Sequence, residues 1–411
     1  MENRVSVALR RARSRPDFIN LIDTNFHSCG LAPDRDAIER AYRTYLHDEG
    51  LRPYQPEPAG LARLREAVAR FYERSGVTVQ PDSVVVTASA SESYGHVFAA
   101  VCERGGVVLL PRPGYPLFEE VALRLGLVPR FYDLHYERGW QISAEEIEAA
   151  IGDGTAAVVV ISPNNPTGSI ADRDALRRIG DRCAAVRVPL IVDEVFSEFR
   201  FTAGELPRPA TISPATLVFT INGASKLLAS PDLKVSWIAT TGPSDIVNET
   251  RELLEIENDL YLNSSPINQF VAASLLEAES ASQTSLSSRL VAEVARRRAV
   301  MLEELQRIAE RHPGRIEWTE PDGGIHLPVL LPGTGADVDA NENAGAHASG
   351  GPDDEEIAVR LLDEYALAVH PGYLYGVEGR NLIVVSYLSR PETIRSGLAR
   401  LDEFLTRLRT S

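Results

Sequence analysis

Of the 42 lysine and arginine residues in this 411-residue chain, only Lys226 and Lys234 are lysine. A guanidinium stays protonated in proteins, so arginine cannot replace lysine where a neutral amine must act as a nucleophile or carry a proton. Two lysines eight residues apart in an arginine-using chain are therefore the first candidates for chemistry, although codon bias with two survivors would give the same count. More polar residues follow the ends of short apolar runs. Ser89-Ala90-Ser91 comes after VVVT, Tyr115 lies in PRPGYP, Asn165 in SPNNPTG, Asp193 in IVDEVF and Lys226 in NGASK. Each has an ordinary structural explanation: Ser89 and Ser91 suit helix caps, Asn-Pro-Thr-Gly suits a turn, a strand-ending aspartate suits a cap, Tyr115 suits a core and a lone lysine suits a solvated surface. At one edge of one sheet they would instead supply an anion-binding helix start, an aromatic ring, an amide, a carboxylate and an amine. That set suits covalent chemistry on a phosphorylated, electron-withdrawing ring.

The elements that would position these residues are legible as alternating apolar runs and amphipathic stretches. Strands are expected at Val84–Thr87, Val107–Leu110, Val128–Tyr132, Ala157–Ile161, Pro189–Asp193, Leu217–Ile221 and Val235–Thr240. Several are continuous apolar runs, as strands covered on both faces should be. Helical periodicity falls at Asp34–Asp48, Leu61–Arg74, Ser91–Glu103, Pro116–Leu125, Ala171–Cys183 and Glu249–Asn258. The pattern predicts an α/β fold, a mostly parallel seven-stranded sheet with helices on both faces. Ligands bind such sheets outside the carboxyl ends of the strands, where the polar residues above fall. After about residue 280 a long helix (Ser285–Arg311) leads to short strands at Ile316–Thr319, Leu327–Leu331, Leu367–His370 and Leu382–Tyr387, and a helix runs from Pro391 to about Arg409. This predicts a smaller α+β domain. The expected organisation is an N-terminal arm and part of the small domain over 1–50, a large domain over 51–280 and a C-terminal small domain over 281–411. Within the last, Gly333–Asp354 is Gly/Ala/Asp/Asn-rich and reads as a mobile surface insertion.

The bulk numbers exclude several classes. A formal charge of −16 without a basic face argues against nucleic-acid binding. No apolar run reaches the length of a membrane span, and the basic N-terminus lacks a signal-peptide core. Cys29, Cys102 and Cys183 are widely spread, with no metal-ligand spacing, and read as reduced thiols of a cytoplasmic protein.

The chemistry that uses the whole polar set is that of pyridoxal phosphate. A lysine amine forms a Schiff base with its aldehyde, a carboxylate keeps the pyridine nitrogen protonated, an amide bonds the ring O3′, an aromatic stacks on the ring and helix-start N–H groups hold the phosphate. ASASESY, PRPGYP, SPNNPTG, IVDEVF and GASKLLASPDLKVSW, with PYQPEPAGLARLREAVARF upstream, resemble the class I/II aminotransferases, fold-type I pyridoxal-phosphate enzymes, over about residues 19–405. The resemblance implies that Lys226 is the Schiff-base lysine and proton shuttle, Asp193 the partner of the pyridine nitrogen, Asn165 the O3′ donor and Tyr115 the stacking ring. Ala90, Ser91 and Ser225 match phosphate contacts. Tyr54, six residues before Gly60, resembles the tyrosine that reaches the neighbouring subunit's cofactor, which implies a homodimer with shared active sites.

Three departures from the family pattern bear on mechanism. Phe196 stands where the family usually has a tyrosine that also bonds O3′. Lys234 replaces a phosphate-binding arginine, a point charge in place of a bidentate fork. Val384, in VVSY, stands where the family's arginine grips the substrate α-carboxylate. Candidate replacements for that grip are Arg380 and Arg390, and Asn25 and His27 are candidate substrate contacts from the N-terminal arm. The first expectation is an aminotransferase acting on the amino group of an amino acid or amino-acid conjugate. The alternative is a C–S β-lyase or a decarboxylating oxidative deaminase acting on a cysteine-conjugated natural-product intermediate, as in lincosamide-like antibiotic biosynthesis. A transcription regulator with a similar domain is disfavoured, since only about 18 residues precede the matching region.

Overall fold

The computed structural model describes residues 3–51, 57–281, 285–332 and 353–408. Among the described residues its large sheet has eight strands, in the order Val84–Thr87, Ser236–Thr241, Val218–Gly223, Leu190–Asp193, Thr155–Ile161, Val107–Arg112, Val128–His135 and Gln141–Ile142. The seven expected strands are all present. The eighth, Gln141–Ile142, escapes sequence reading because two residues carry no period. Four neighbouring pairs are parallel. The pairings of Ser236–Thr241 with both its neighbours and of Gln141–Ile142 with Val128–His135 are antiparallel. The strands Val84–Thr87, Leu190–Asp193 and Val218–Gly223 are buried at every position. β-Branched residues dominate because both faces are covered by helices.

A second, antiparallel sheet runs Glu317–Trp318, His326–Leu330, Leu382–Ser386, His370–Pro371. The expected strand Leu367–His370 is split. Leu367–Ala368 pairs with Ile19–Asn20 near the N-terminus, and His370–Pro371 joins the four-stranded sheet. The apolar cluster around this sheet gathers Val5, Ala8, Leu21 and Phe26 with Leu290, Ile357, Leu367 and Phe404, so the first residues of the chain complete the C-terminal core. Arg297, buried on the long helix Leu286–Arg311, donates to the carbonyls of Cys29 and Leu388 and fixes the arm at that point. The helix Arg35–His47 goes elsewhere. Its Ala41 packs with Leu64, Val68 and Leu275, and the Tyr42 hydroxyl donates to Asn268.

Most of the segment Gly333–Asp354 lies outside the described residues, as does Tyr54. Its last two residues are described: Asp353 caps the helix Asp354–Tyr365, whose first residue is Asp354, by accepting from the Glu356 N–H.

One buried ion pair braces the edge of the large sheet. Arg208 Nε donates to both carboxylate oxygens of Glu194, at 3.1 and 2.9 Å, with the side chains 8% and 2% exposed. Glu194 immediately follows Asp193, so this pair holds the turn that carries the candidate carboxylate. Removing one partner of such a pair strands the other charge. Arg208→Met is expected to destabilise the protein by about 3–5 kcal/mol, read as a fall in the urea midpoint without a change in slope.

Candidate active site

Ala90, Ser91, Tyr115, Asn165, Asp193, Ser225, Lys226 and Lys234 all line one cavity of about 470 Å3. They converge because parallel strands deliver their carboxyl ends to one edge. Asp193 is the last residue of Leu190–Asp193, and Val218–Gly223 beside it is followed at once by the helix Ala224–Leu227 that carries Ser225 and Lys226.

Ser89 caps the helix Ala90–Val101 by accepting from the Glu92 N–H, while the Glu92 carboxylate turns back to the Ala88 N–H. This reciprocal cap sets the helix start against the cavity, with the positive end of its dipole facing in. Ser236 and Lys234 approach from the neighbouring strand and turn. Gly223 permits that approach, since a Cβ there would lie 2.2 Å from Ser236 Oγ. Hydroxyls, helix-start N–H groups and one ammonium thus surround the same corner, a donor set suited to a phosphate.

Asp193 is buried, and its carboxylate is held by two donors, the Val195 N–H at 3.0 Å and the Tyr94 hydroxyl at 3.2 Å. Burial still dominates and pushes its carboxyl up to about 6. Lys226 Nζ donates to the Thr24 carbonyl at 3.3 Å and lies 5.7 Å from the centre of the Phe26 ring. Burial lowers its ammonium to about 8, against the weaker opposing charge of Asp23. Near neutral pH a usable fraction is therefore free amine, the form a nucleophile needs. The Asn165 side chain lines the cavity and makes no hydrogen bond among the described residues, its acceptor Oδ1 buried and its Nδ2 donor left unused. Tyr115 stands edge-on to Phe118, with ring centres 5.3 Å apart, and both rings line the cavity.

A buried carboxylate, a depressed lysine, an unused amide, a flanking ring and an anion-binding corner fit pyridoxal 5′-phosphate. Ala90, Ser91, Ser225 and Lys234 would face its phosphate, Asp193 its ring nitrogen, Asn165 its phenolic oxygen and Lys226 its aldehyde. Phe196 also lines the cavity, so no hydroxyl from that position adds to the amide.

The sequence of the chain between residues 24 and 401 matches the aminotransferase class I and II family, and the chain belongs to that family. It is a pyridoxal 5′-phosphate-dependent enzyme of the aminotransferase kind. Among curated relatives, a probable aspartate/prephenate aminotransferase of Aquifex aeolicus is 28% identical over 90% of this chain and 86% of its own length. An S-alkyl-thiohydroximate lyase of Arabidopsis thaliana is 31% identical, over 52% of this chain and 47% of its own. An alanine aminotransferase structure from Pyrococcus furiosus superposes with a TM-score of 0.85 over 98% of this chain and 96% of that one, at 23% identity, a likeness of fold.

The expected substrate contacts are placed elsewhere. The Asn25 side chain accepts from the N–H groups of His27 and Ser28, closing a turn, and His27 Nε2 is 2.9 Å from the Ala229 carbonyl. Both residues are exposed and neither lines the cavity, whereas Ile22 and Thr24 of the same arm do. Arg380 pairs with Glu137 at 3.1 Å in a separate surface cleft beside Tyr136. Arg390 is exposed and lies against Gly30. Sequence reading missed His326, His370 and Tyr375, which line the cavity from the C-terminal sheet. Their only local signal is a polar residue opening or closing an apolar run.

The raised Asp193 carboxyl makes a stability prediction for the cofactor-free protein. An acid whose folded value lies above its unfolded one stabilises the fold below the unfolded value and loses that contribution as pH rises through the folded one. Between about pH 4 and 6 the wild type should lose up to roughly 3 kcal/mol relative to Asp193→Asn, measured by chemical denaturation at each pH.

Proposed function

We propose that this enzyme transfers the amino group of an amino acid or amino-acid conjugate to a keto acceptor. The observation that carries the reading is a lysine with a depressed amine facing the same cavity as a buried carboxylate. When bound, pyridoxal phosphate supplies an aldehyde that condenses with amines and a ring that withdraws electrons from the substrate Cα. Lys226 would be the point of covalent attachment and, once free, the group that holds and moves the substrate Cα proton. Asp193, supported by the Tyr94 hydroxyl, would keep a proton on the ring nitrogen. Asn165 would donate to the phenolic oxygen, Tyr115 would pack on the ring, and Ser91, Ser225, Lys234 and the Ala90 N–H would hold the phosphate. Over the reaction the donor becomes a carbonyl compound and the acceptor an amine, so no external oxidant is consumed.

The finer assignments belong to the same proposal. Residues 51–280 form the cofactor-holding domain. The small domain is built from 281–411 with residues of the arm before about 32, since the helix Arg35–His47 packs on the large domain. The protein is a homodimer. Leu253, Ile256, Leu260, Tyr261 and Leu262 are exposed large apolar side chains within one helix and the turn after it, a surface that a second copy would bury. The cytoplasm suits three unpaired cysteines, and no helix of the described residues is long and apolar enough to cross a membrane. C–S β-elimination is the second reading. It is favoured by Val384 in the place of the family arginine and by the similarity to a lyase.

Borohydride reduction should fix the cofactor on Lys226, located by mass spectrometry, and Lys226→Ala should show no adduct and a rate lower by about 10²–10⁴. An adduct persisting in the variant sinks the assignment. Product analysis over a panel of amino donors, with and without a keto-acid acceptor, separates the two readings. Transamination gives acceptor-dependent amine formation. Release of thiol without any acceptor identifies the lyase, and release of carbon dioxide with oxygen uptake identifies an oxidative decarboxylation.

A further inference from the structure

The substrate side of the cavity is built from the C-terminal sheet. In its central strand, Leu382–Ser386, Val384 lies directly opposite His370 on one neighbour, and Ser386 lies directly opposite His326 on the other. Positions two apart on a strand share a face, so the two histidines flank the strand on one side of the sheet. Both reach the cavity. Val384 is fully buried, in a cluster that includes Tyr375, and does not line it. This side of the cavity is thus lined by imidazoles and by no guanidinium among the described residues.

His370 Nδ1 is 2.9 Å from the Tyr375 hydroxyl, which leaves its Nε2 edge for another partner. His326 is buried, stands perpendicular to Phe196 with ring centres 6.2 Å apart, and its imidazole makes no hydrogen bond among the described residues. Burial pushes His370 down to about 4, and burial with the Lys226 charge pushes His326 down to about 3, so both rings are neutral at physiological pH. The other titratable groups lining the cavity are Asp193, Lys226, Lys234, Tyr115 and Tyr375. Apart from histidine, the cations lining the cavity among the described residues are Lys226, which the cofactor occupies, and Lys234 at the phosphate corner.

A carboxylate placed against this wall would be desolvated without a cationic partner, whereas a neutral imidazole offers one donor and one acceptor. We propose that His326 and His370 form the substrate-selecting wall, and that they favour an amino donor carrying an uncharged hydrogen-bonding group, such as an amide, where a free amino acid carries its α-carboxylate. The inference rests on the cavity being the cofactor site. It narrows the donor to an amino acid conjugated through its carboxyl group.

The test uses cofactor-loaded protein and matched probes, L-methionine with L-methioninamide and L-phenylalanine with L-phenylalaninamide. The readouts are the half-saturation concentration of the cofactor absorbance change and the shift in melting temperature. The amide of each pair is expected to bind tighter by about tenfold or more. His326→Phe and His370→Phe, which keep a flat ring without its hydrogen bonds, should bring the members of a pair within about threefold while retaining the cofactor. His370→Arg restores a cation and should reverse the preference. Tighter binding of the carboxylate member by wild type, equal binding, or no response to either overturns the proposal. If borohydride fixes the cofactor on Lys226 and the carboxylate still wins, only the selecting wall is refuted. If no adduct forms, the cofactor reading falls with it.

Discussion

Two ionisable groups with little access to water, the Asp193 carboxyl and the Lys226 amine, face one cavity from the ends of neighbouring strands, and the rest of the site is arranged around that fact. Each is held away from its comfortable charge state, the acid upward and the base downward. A fold does not gain stability from such groups. It tolerates them because the surrounding sheet is buried on both faces and braced by pairs such as Glu194 with Arg208. A bound ring with a protonated nitrogen would give the carboxylate a counter-charge, and covalent attachment would relieve the amine.

The geometry divides the labour between the two sheets. The large sheet contributes what the cofactor needs, because parallel strands bring a helix start, an amide, an acid and a lysine to one edge without long connections. The antiparallel sheet contributes His326 and His370 to the opposite lining of the cavity, and Val384 on its central strand is where the sequence departs most from the family pattern. Val384 lies buried in that sheet, and the strands on either side of it bring His370 and His326 to the cavity.

Reading along the chain works where chemistry and local structure coincide. Asn165, Asp193 and Lys226 each stand at a strand's end or within a few residues of it, so the apolar run that announces the strand also announces a residue of the cavity. It fails for Arg380 and Arg390, which are polar residues near the right strand whose partners, Glu137 and the turn at Gly30, are distant in sequence. It fails for Asn25 and His27 because a turn absorbs one side chain and a carbonyl the other.

The sequence by itself determined the α/β architecture, the cofactor and the polar residues that gather at one cavity, because those depend on short-range patterning and on side chains that no other residue type can replace. Only the tertiary structure decided which lining faces the substrate. His326 and His370 come from separate strands joined through Leu382–Ser386, and whether a side chain on a strand faces core or cavity depends on register with its neighbours. That register is fixed by packing across the sheet, so the wall they form exists only once the strands have paired.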